Sequence, residues 1–409
     1  MPESKDRYLP CLSSRMDGFE APATIAMAMK ARALKAEGKP VISLAFGQPD
    51  FPTPKVAIDA AYQSALDGNT KYPPIDGMLT LKQAVKKKFA QENHLDYSLD
   101  EIVIANGAKQ ILFNALMATL NKDDEVIIPV PYWTSYPIMV QFLGGIPRFV
   151  VCPEEKGFRL NASDVQKAIT SRTKWIILNS PSNPTGVVWP KEDLLALAEI
   201  LRAHPHIWIF SDEIYEHLIF DGAQHYSLAA LAPDLKDRIL TANGASKTYA
   251  MPGWRVGYAG GPKRLMNAML KIQSNSTSGV CSISQTAAIA ALEYASSEVA
   301  SMKTAYDRRR ITMVKMLSTL KGISCNVPQG AFYVYPGIQA CIGKITAGGR
   351  RIESDYDFSE GLLEEQYVAV VPGSAFGLSP YLRISYAADD AVLDEACHRI
   401  AKFVDHLHD

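Results

Sequence analysis

Four stretches of the chain place polar side chains where an apolar run ends, and each could do chemistry. In Trp175-Ile-Ile-Leu-Asn-Ser-Pro-Ser-Asn-Pro-Thr-Gly186 the run gives way to a turn bounded by proline and glycine, which holds Asn183 with its amide free to donate or accept. In Ile207-Trp-Ile-Phe-Ser-Asp-Glu213 two acids follow four apolar residues, and a carboxylate such as Asp212 is expensive to bury there unless a cation faces it. In Ile239-Leu-Thr-Ala-Asn-Gly-Ala-Ser-Lys247 the lysine sits among small residues, where a confined amine has a lowered pKa and attacks carbonyls. In Ile104-Ala-Asn-Gly-Ala-Lys-Gln110 an apolar run turns through Gly107 into a helical pattern, whose first N–H groups suit an anion such as phosphate. This last stretch is neither a P-loop, G-x-x-x-x-G-K-[ST], nor the dinucleotide fingerprint G-x-G-x-x-G.

Singly, these stretches read as a turn, a helix cap, a salt-bridged surface lysine and a helix start. Jointly they match the parts of one ligand. Pyridoxal phosphate carries a phosphate, a basic pyridine nitrogen, a phenolate and an aldehyde.

Such a set has to be positioned by strand ends. Short β-branched or aromatic runs at 102–105, 125–130, 147–151, 175–179, 207–211 and 239–242 read as strands, and helical patterns at 108–120 and 191–204 lie between them. Apolar strands alternating with helices imply an α/β domain whose mainly parallel sheet is covered on both faces. Ligands of such sheets sit beyond the carboxyl ends of the strands. A helix at 23–37 and a strand at 41–46 precede this region. A single long helix near 284–310 follows it, then strands at 330–335, 368–371 and 381–385 that read as a smaller α+β domain. The expected division is an N-terminal arm at 1–20, a small domain from 21–50 and 300–409, and a large domain at 51–299.

Composition narrows the partners. Of 409 residues, 47% are apolar and 21% charged, which is globular rather than disordered. Lys and Arg number 42 against 43 Asp and Glu, a net charge of −1 that offers no field for nucleic acid or an anionic membrane. No apolar run approaches the roughly 20 residues of a bilayer span. The charged start, Met1-Pro-Glu-Ser-Lys-Asp-Arg7, does not read as a signal peptide, so the expected location is cytoplasmic. Six scattered cysteines without a C-x-x-C pair read as reduced thiols, and the histidine spacings give no metal site.

The run Ser246-Lys-Thr-Tyr-Ala-Met-Pro-Gly-Trp-Arg-Val-Gly-Tyr258 resembles the lysine signature of class I aminotransferases. Ser180-Pro-Ser-Asn-Pro-Thr-Gly186 and Ser211-Asp-Glu-Ile-Tyr-Glu-His217 resemble the other hallmark stretches of that family. Phe46-Gly-Gln-Pro-Asp-Phe51, Lys71-Tyr-Pro-Pro74, Pro129-Val-Pro-Tyr-Trp-Thr-Ser-Tyr-Pro137 and Tyr381-Leu-Arg-Ile-Ser-Tyr386 extend the likeness from about Ala23 to the C-terminus. Within the family, the chain is similar to the bacterial aspartate aminotransferases, some of which accept prephenate.

The resemblance implies the fold of PLP-dependent transferases, with a seven-stranded sheet in the large domain, and it implies roles. Lys247 would bond the cofactor and later move the substrate's α-proton, and Asp212 would pair with the pyridine nitrogen. Asn183 and Tyr215 would hold the phenolic oxygen and Trp133 would stack on the ring. Arg255, Ser246 and the backbone at Ala108 and Lys109 would hold the phosphate, joined by Tyr72 from a neighbouring subunit of a homodimer. Arg383 would grip the substrate α-carboxylate as a fork, with the backbone of Gly47 near it and Trp133 and Asn183 bordering the same space. Lys109 would meet the distal carboxylate of aspartate or glutamate, and Thr24 matches a threonine associated with acidic substrates and prephenate. The motif around it reads Glu20-Ala-Pro-Ala-Thr24 where the family commonly has Lys-Pro-Ser-Ala-Thr, which weighs against prephenate more than against aspartate.

The implied reaction is the exchange of L-aspartate and 2-oxoglutarate for oxaloacetate and L-glutamate, by a ping-pong mechanism. Alternatives on the same fold are a prephenate or other oxo-acid aminotransferase and a PLP lyase. A sensor domain fused to a DNA-binding module is disfavoured, since only about 20 residues precede the likeness.

Overall fold

The structure, a computed structural model, describes residues 12, 13, 16 and 23–409, with side chains from Ala26 onward in that last span. Its centre is a seven-stranded sheet. With β1 at Ile42–Ser43, the strands β2 (Ile102–Ala105), β3 (Glu125–Val130), β4 (Ile146–Val151), β5 (Thr173–Asn179), β6 (Trp208–Asp212), β7 (Ile239–Gly244) and β8 (Gly257–Gly260) run in the order β2-β8-β7-β6-β5-β3-β4. All neighbours pair in parallel except β8, which is antiparallel to both β2 and β7.

Both faces of the inner strands are buried, which is why they read as continuous apolar runs, whereas the edge strand β4 leaves Phe149 and Val151 about half exposed. On β5, Ile176 and Leu178 face a core shared with the helices Lys55–Leu66, Leu79–Glu92, Lys191–Arg202 and Ser282–Tyr294. Trp175 and Ile177 face the opposite core, with the helices Ala108–Thr119, Ser135–Phe142 and Lys263–Ser274.

Strand β8 was not expected, because glycine is a poor strand former. Its glycines answer close backbone approach: a Cβ on Gly257 would lie 2.4 Å from the Gly107 carbonyl carbon, and one on Gly260 would meet the Tyr97 ring at 2.3 Å.

A third core gathers the C-terminal part around Tyr306, Phe332, Tyr333, Leu362, Ile384 and Phe403. The strands β9 (Tyr333–Val334), β10 (Val368–Ala369), β11 (Val371–Pro372) and β12 (Leu382–Ser385) are shorter than the runs that suggested them. The 41–46 run contributes only β1, which pairs in parallel with β10, while β11, β12 and β9 form a separate three-stranded sheet.

The single long helix expected near 284–310 is two helices, Ser282–Tyr294 and Ser296–Leu317, separated at Ala295. The first buries Ala287, Ala288 and Ala291 against the sheet, and the second buries Met302, Tyr306 and Met313 in the C-terminal core. One straight rod could not serve both. Among the described residues, no helix is long and apolar enough to cross a membrane.

Candidate active site

The carboxyl ends of the sheet strands open into a cavity of about 570 Å³. Asp212 is the last residue of β6, and Asn179 the last of β5. Asn179 Nδ2 donates to the Asp212 carbonyl at 3.1 Å, and its Oδ1 accepts the Asn183 amide at 2.8 Å, so the turn bearing Asn183 is tied back to the sheet. Strand β7 leads directly into the short helix Ala245–Thr248, which carries Ser246 and Lys247. Beyond β2, Gly107 takes φ 85° and starts the helix Ala108–Thr119. That positive φ is why glycine stands there. Arg255, at φ 59°, donates to the carbonyls of Asn106 and Pro252 and brings its guanidinium against Gly107. After β3, Trp133 and Tyr136 line the cavity from the start of the helix Ser135–Phe142.

The C-terminal part closes the cavity. Arg383, on β12, donates from Nη1 to Asn183 Oδ1 at 3.0 Å and from Nη2 to the Ala45 carbonyl at 2.6 Å. Its guanidinium lies between the rings of Tyr333 and Phe376, at 4.7 and 4.9 Å from their centroids. Its Nε is buried without a partner, and no carboxylate pairs with it among the described residues. A buried guanidinium lacking an acid is a receptor for an anion. Lys247 Nζ donates to the carbonyl of Gly47, and a Cβ on Gly47 would strike the Tyr333 hydroxyl.

The electrostatics favour proton traffic. Burial, with Arg383 and Arg255 nearby, brings the Lys247 amine down to about 8. Burial lifts Asp212 to about 6, against hydrogen bonds from the Tyr136 hydroxyl and the Ile214 amide. Burial and Arg255 also lower Lys109, whose Nζ lies 4.8 Å from the Trp133 ring centroid. Tyr215, whose hydroxyl is 2.8 Å from that of Tyr333, is held neutral by burial.

The family profile described as aminotransferase class I and II matches residues 39–400. The chain belongs to this family. It is 52% identical over 393 residues to an aspartate/prephenate aminotransferase of Cereibacter sphaeroides, covering 96% of this chain and 98% of the relative. An aspartate aminotransferase of Rhizobium meliloti is 49% identical over 395 residues, 97% of this chain and 96% of that one. The crystal structure of the aspartate aminotransferase from Rhizobium meliloti superposes with a TM-score of 0.95, covering 97% of this chain and all of that one at 48% identity. The Thermus thermophilus aspartate aminotransferase with maleate gives 0.90 at 39% identity, covering 97% and 100%. The chain is thus a PLP-dependent transaminase of the aspartate aminotransferase family.

The residues of this aminotransferase fit the cofactor. The confined lysine, the buried acid, the helix start flanked by Arg255 and the aromatic Trp133 have the chemistry to suit, respectively, an aldehyde, a basic nitrogen, a phosphate and a ring. Of the residues singled out from sequence, Gly47, Ala108, Lys109, Trp133, Asn183, Asp212, Tyr215, Ser246, Lys247, Arg255 and Arg383 line one cavity. Tyr72 does not; it is 96% exposed and outside the cavity of its own chain. Thr24 lies in the helix Ala23–Ala36, with its side chain outside the described residues, and Glu20 is outside them altogether.

Sequence reasoning missed Asn179, Tyr136, Tyr333 and Arg32, all of which line the cavity. Tyr136 stood inside a quoted motif without a role. Arg32 lies on the helix Ala23–Ala36 and gave no signal beyond its charge.

Proposed function

We propose that the protein transfers the amino group of L-aspartate to 2-oxoglutarate in two half-reactions, giving oxaloacetate and L-glutamate. The observation that carries this reading is the presence of two cations, Arg383 and Lys109, in the cavity that holds Lys247. With Arg255 assigned to the phosphate and Lys247 to the aldehyde, these two cations suit two carboxylates, and Arg32 also lines the cavity. The Thermus relative bound to maleate, a four-carbon dicarboxylate, supports this choice.

Pyridoxal phosphate, when bound, supplies an electron sink for the carbanion that forms at the substrate α-carbon. Lys247 Nζ would hold it in place, and an amine brought down to about 8 suits taking the substrate's α-proton and returning it. Asp212 would hold the pyridine nitrogen, and Asn183 and Tyr215 the phenolic oxygen. Ser246, Arg255 and the backbone at Ala108 and Lys109 would hold the phosphate, and Trp133 would stack on the pyridine ring. Arg383 would bind the α-carboxylate as a fork beside Gly47. Residues 21–50 and 300–409 read as the small domain that brings Arg383 to the larger one at 51–299.

A homodimer in the cytoplasm completes the proposal. Ile58, Tyr62 and Leu66 are exposed along one stripe of the helix Lys55–Leu66, just before Tyr72. Such a stripe suits a second copy, which would place Tyr72 against the partner's phosphate site. The test of substrate choice is Lys109→Ala assayed with aspartate and with alanine. The expected result is a loss of kcat/KM of about 10-fold or more for aspartate only, the worth of a charge-assisted contact. Equal losses for both substrates contradict the reading.

A further inference from the structure

We infer that Tyr136 is a positioning residue for the cofactor's pyridine nitrogen, acting through Asp212. Its hydroxyl donates to Asp212 Oδ2 at 2.7 Å, while Asp212 Oδ1 accepts the Ile214 amide at 3.3 Å. Both partners are buried, Tyr136 at 2% exposure and Asp212 at 7%. The phenol is held by its own turn, where the Tyr136 amide bonds the Trp133 carbonyl at 2.9 Å and the two rings meet edge-on at 5.3 Å. One helix start therefore sets both the aromatic wall of the cavity and the hydrogen bond to the acid. The inference rests on the assignment of Asp212 to the pyridine nitrogen.

The consequence follows from where the shared proton sits. The groups facing Asp212 are Lys247 from the helix Ala245–Thr248, Glu213 from the next position, Tyr136 and Tyr215, and Tyr215 also faces Tyr136. A carboxylate that already accepts a phenol hydrogen is a weaker base toward a third group. The proton between Asp212 and the pyridine therefore stays on nitrogen, and the ring stays cationic. A cationic ring makes any other proton on the same conjugated system easier to lose. Without the phenol, Asp212 competes better for the proton and the ring loses charge.

The experiment records the visible absorbance of PLP-loaded protein against pH. In Tyr136→Phe the spectral midpoint is expected to rise by about one pH unit relative to the parent, the scale of losing one such hydrogen bond. With it, kcat falls about 10-fold while KM for aspartate stays within about twofold. A midpoint unchanged in a loaded variant overturns the inference. Should Tyr136→Phe fail to load or fold, 3-fluorotyrosine placed at position 136, isosteric and a stronger donor, moves the midpoint the opposite way. A midpoint there that is static or raised also overturns it. A parent that develops no visible band with PLP overturns the cofactor assignment itself, and this inference with it.

Discussion

The guanidinium of Arg383 donates to Oδ1 of Asn183 at 3.0 Å, joining β12 of the C-terminal part to the turn that follows β5. Two residues 200 positions apart thus form one unit at the cavity wall. Lysine at position 383 could not hold Asn183, the Ala45 carbonyl and a substrate carboxylate from one planar group. Arg383→Lys is expected to raise KM about 10- to 100-fold for aspartate and alanine alike, since both carry an α-carboxylate. Steady-state kinetics with the two amino acids checks this. A loss confined to aspartate would assign Arg383 to the distal carboxylate instead.

A buried charge network lies behind the Asp212–Tyr215 turn and gives stability a pH dependence. Glu213 accepts from Ser211 and Ser227, each at 2.8 Å, and from His225 Nε2 at 3.0 Å. Glu216 accepts from Lys88, from Asn93 and from Asn243. Glu213 and Glu216 with His225, and Glu92 and Glu216 with His217, have the makings of metal ligand sets, but the Lys88 ammonium already sits on Glu216.

Burial alone would lower the His225 pKa; Glu213 and Glu216 outweigh it, and the value is raised. A raised folded pKa means that the stabilisation is complete below the ordinary histidine value of about 6.5 and drains away as pH climbs through the folded value. The melting temperature of His225→Gln is therefore expected to fall furthest below the parent near pH 6 and to approach it at alkaline pH. A gap that does not change with pH would show that the histidine is neutral in the fold.

Tyr72 carries the dimer proposal, and hybrid dimers test it. One subunit with Lys247→Ala is mixed with another bearing Tyr72→Ala, after each homodimer is shown to be impaired. If Tyr72 serves the neighbouring subunit, the hybrid contains one site with both residues intact, and about half of the parental activity per hybrid returns. No recovery would place Tyr72 with its own chain's site.

What the sequence made legible was the ends of strands. Apolar runs on a sheet buried on both faces announce themselves, and Asn183, Asp212 and Lys247 follow them within a few residues. Contacts made across the chain were not legible in this way. Tyr136 meets Asp212 from 76 residues away and Tyr215 meets Tyr333 from 118, and nothing in local composition sets a tyrosine with a distant partner apart from one that only fills the core. Strand β8 was hidden by its glycines, chosen for close approach rather than strand preference. The break at Ala295 was hidden because it holds neither glycine nor proline; it exists only because two cores pull the chain in different directions.

A pyridoxal phosphate held by Lys247 would carry the amino group of a dicarboxylic amino acid from donor to acceptor. The most direct measurement is the visible spectrum of the purified, PLP-loaded protein before and after L-aspartate, followed by 2-oxoglutarate, with Lys247→Ala alongside. The expected result is a band that bleaches with aspartate and returns with 2-oxoglutarate, and that is lost in the variant. A parental band indifferent to aspartate would contradict the substrate, and an unaltered band in Lys247→Ala would contradict the lysine.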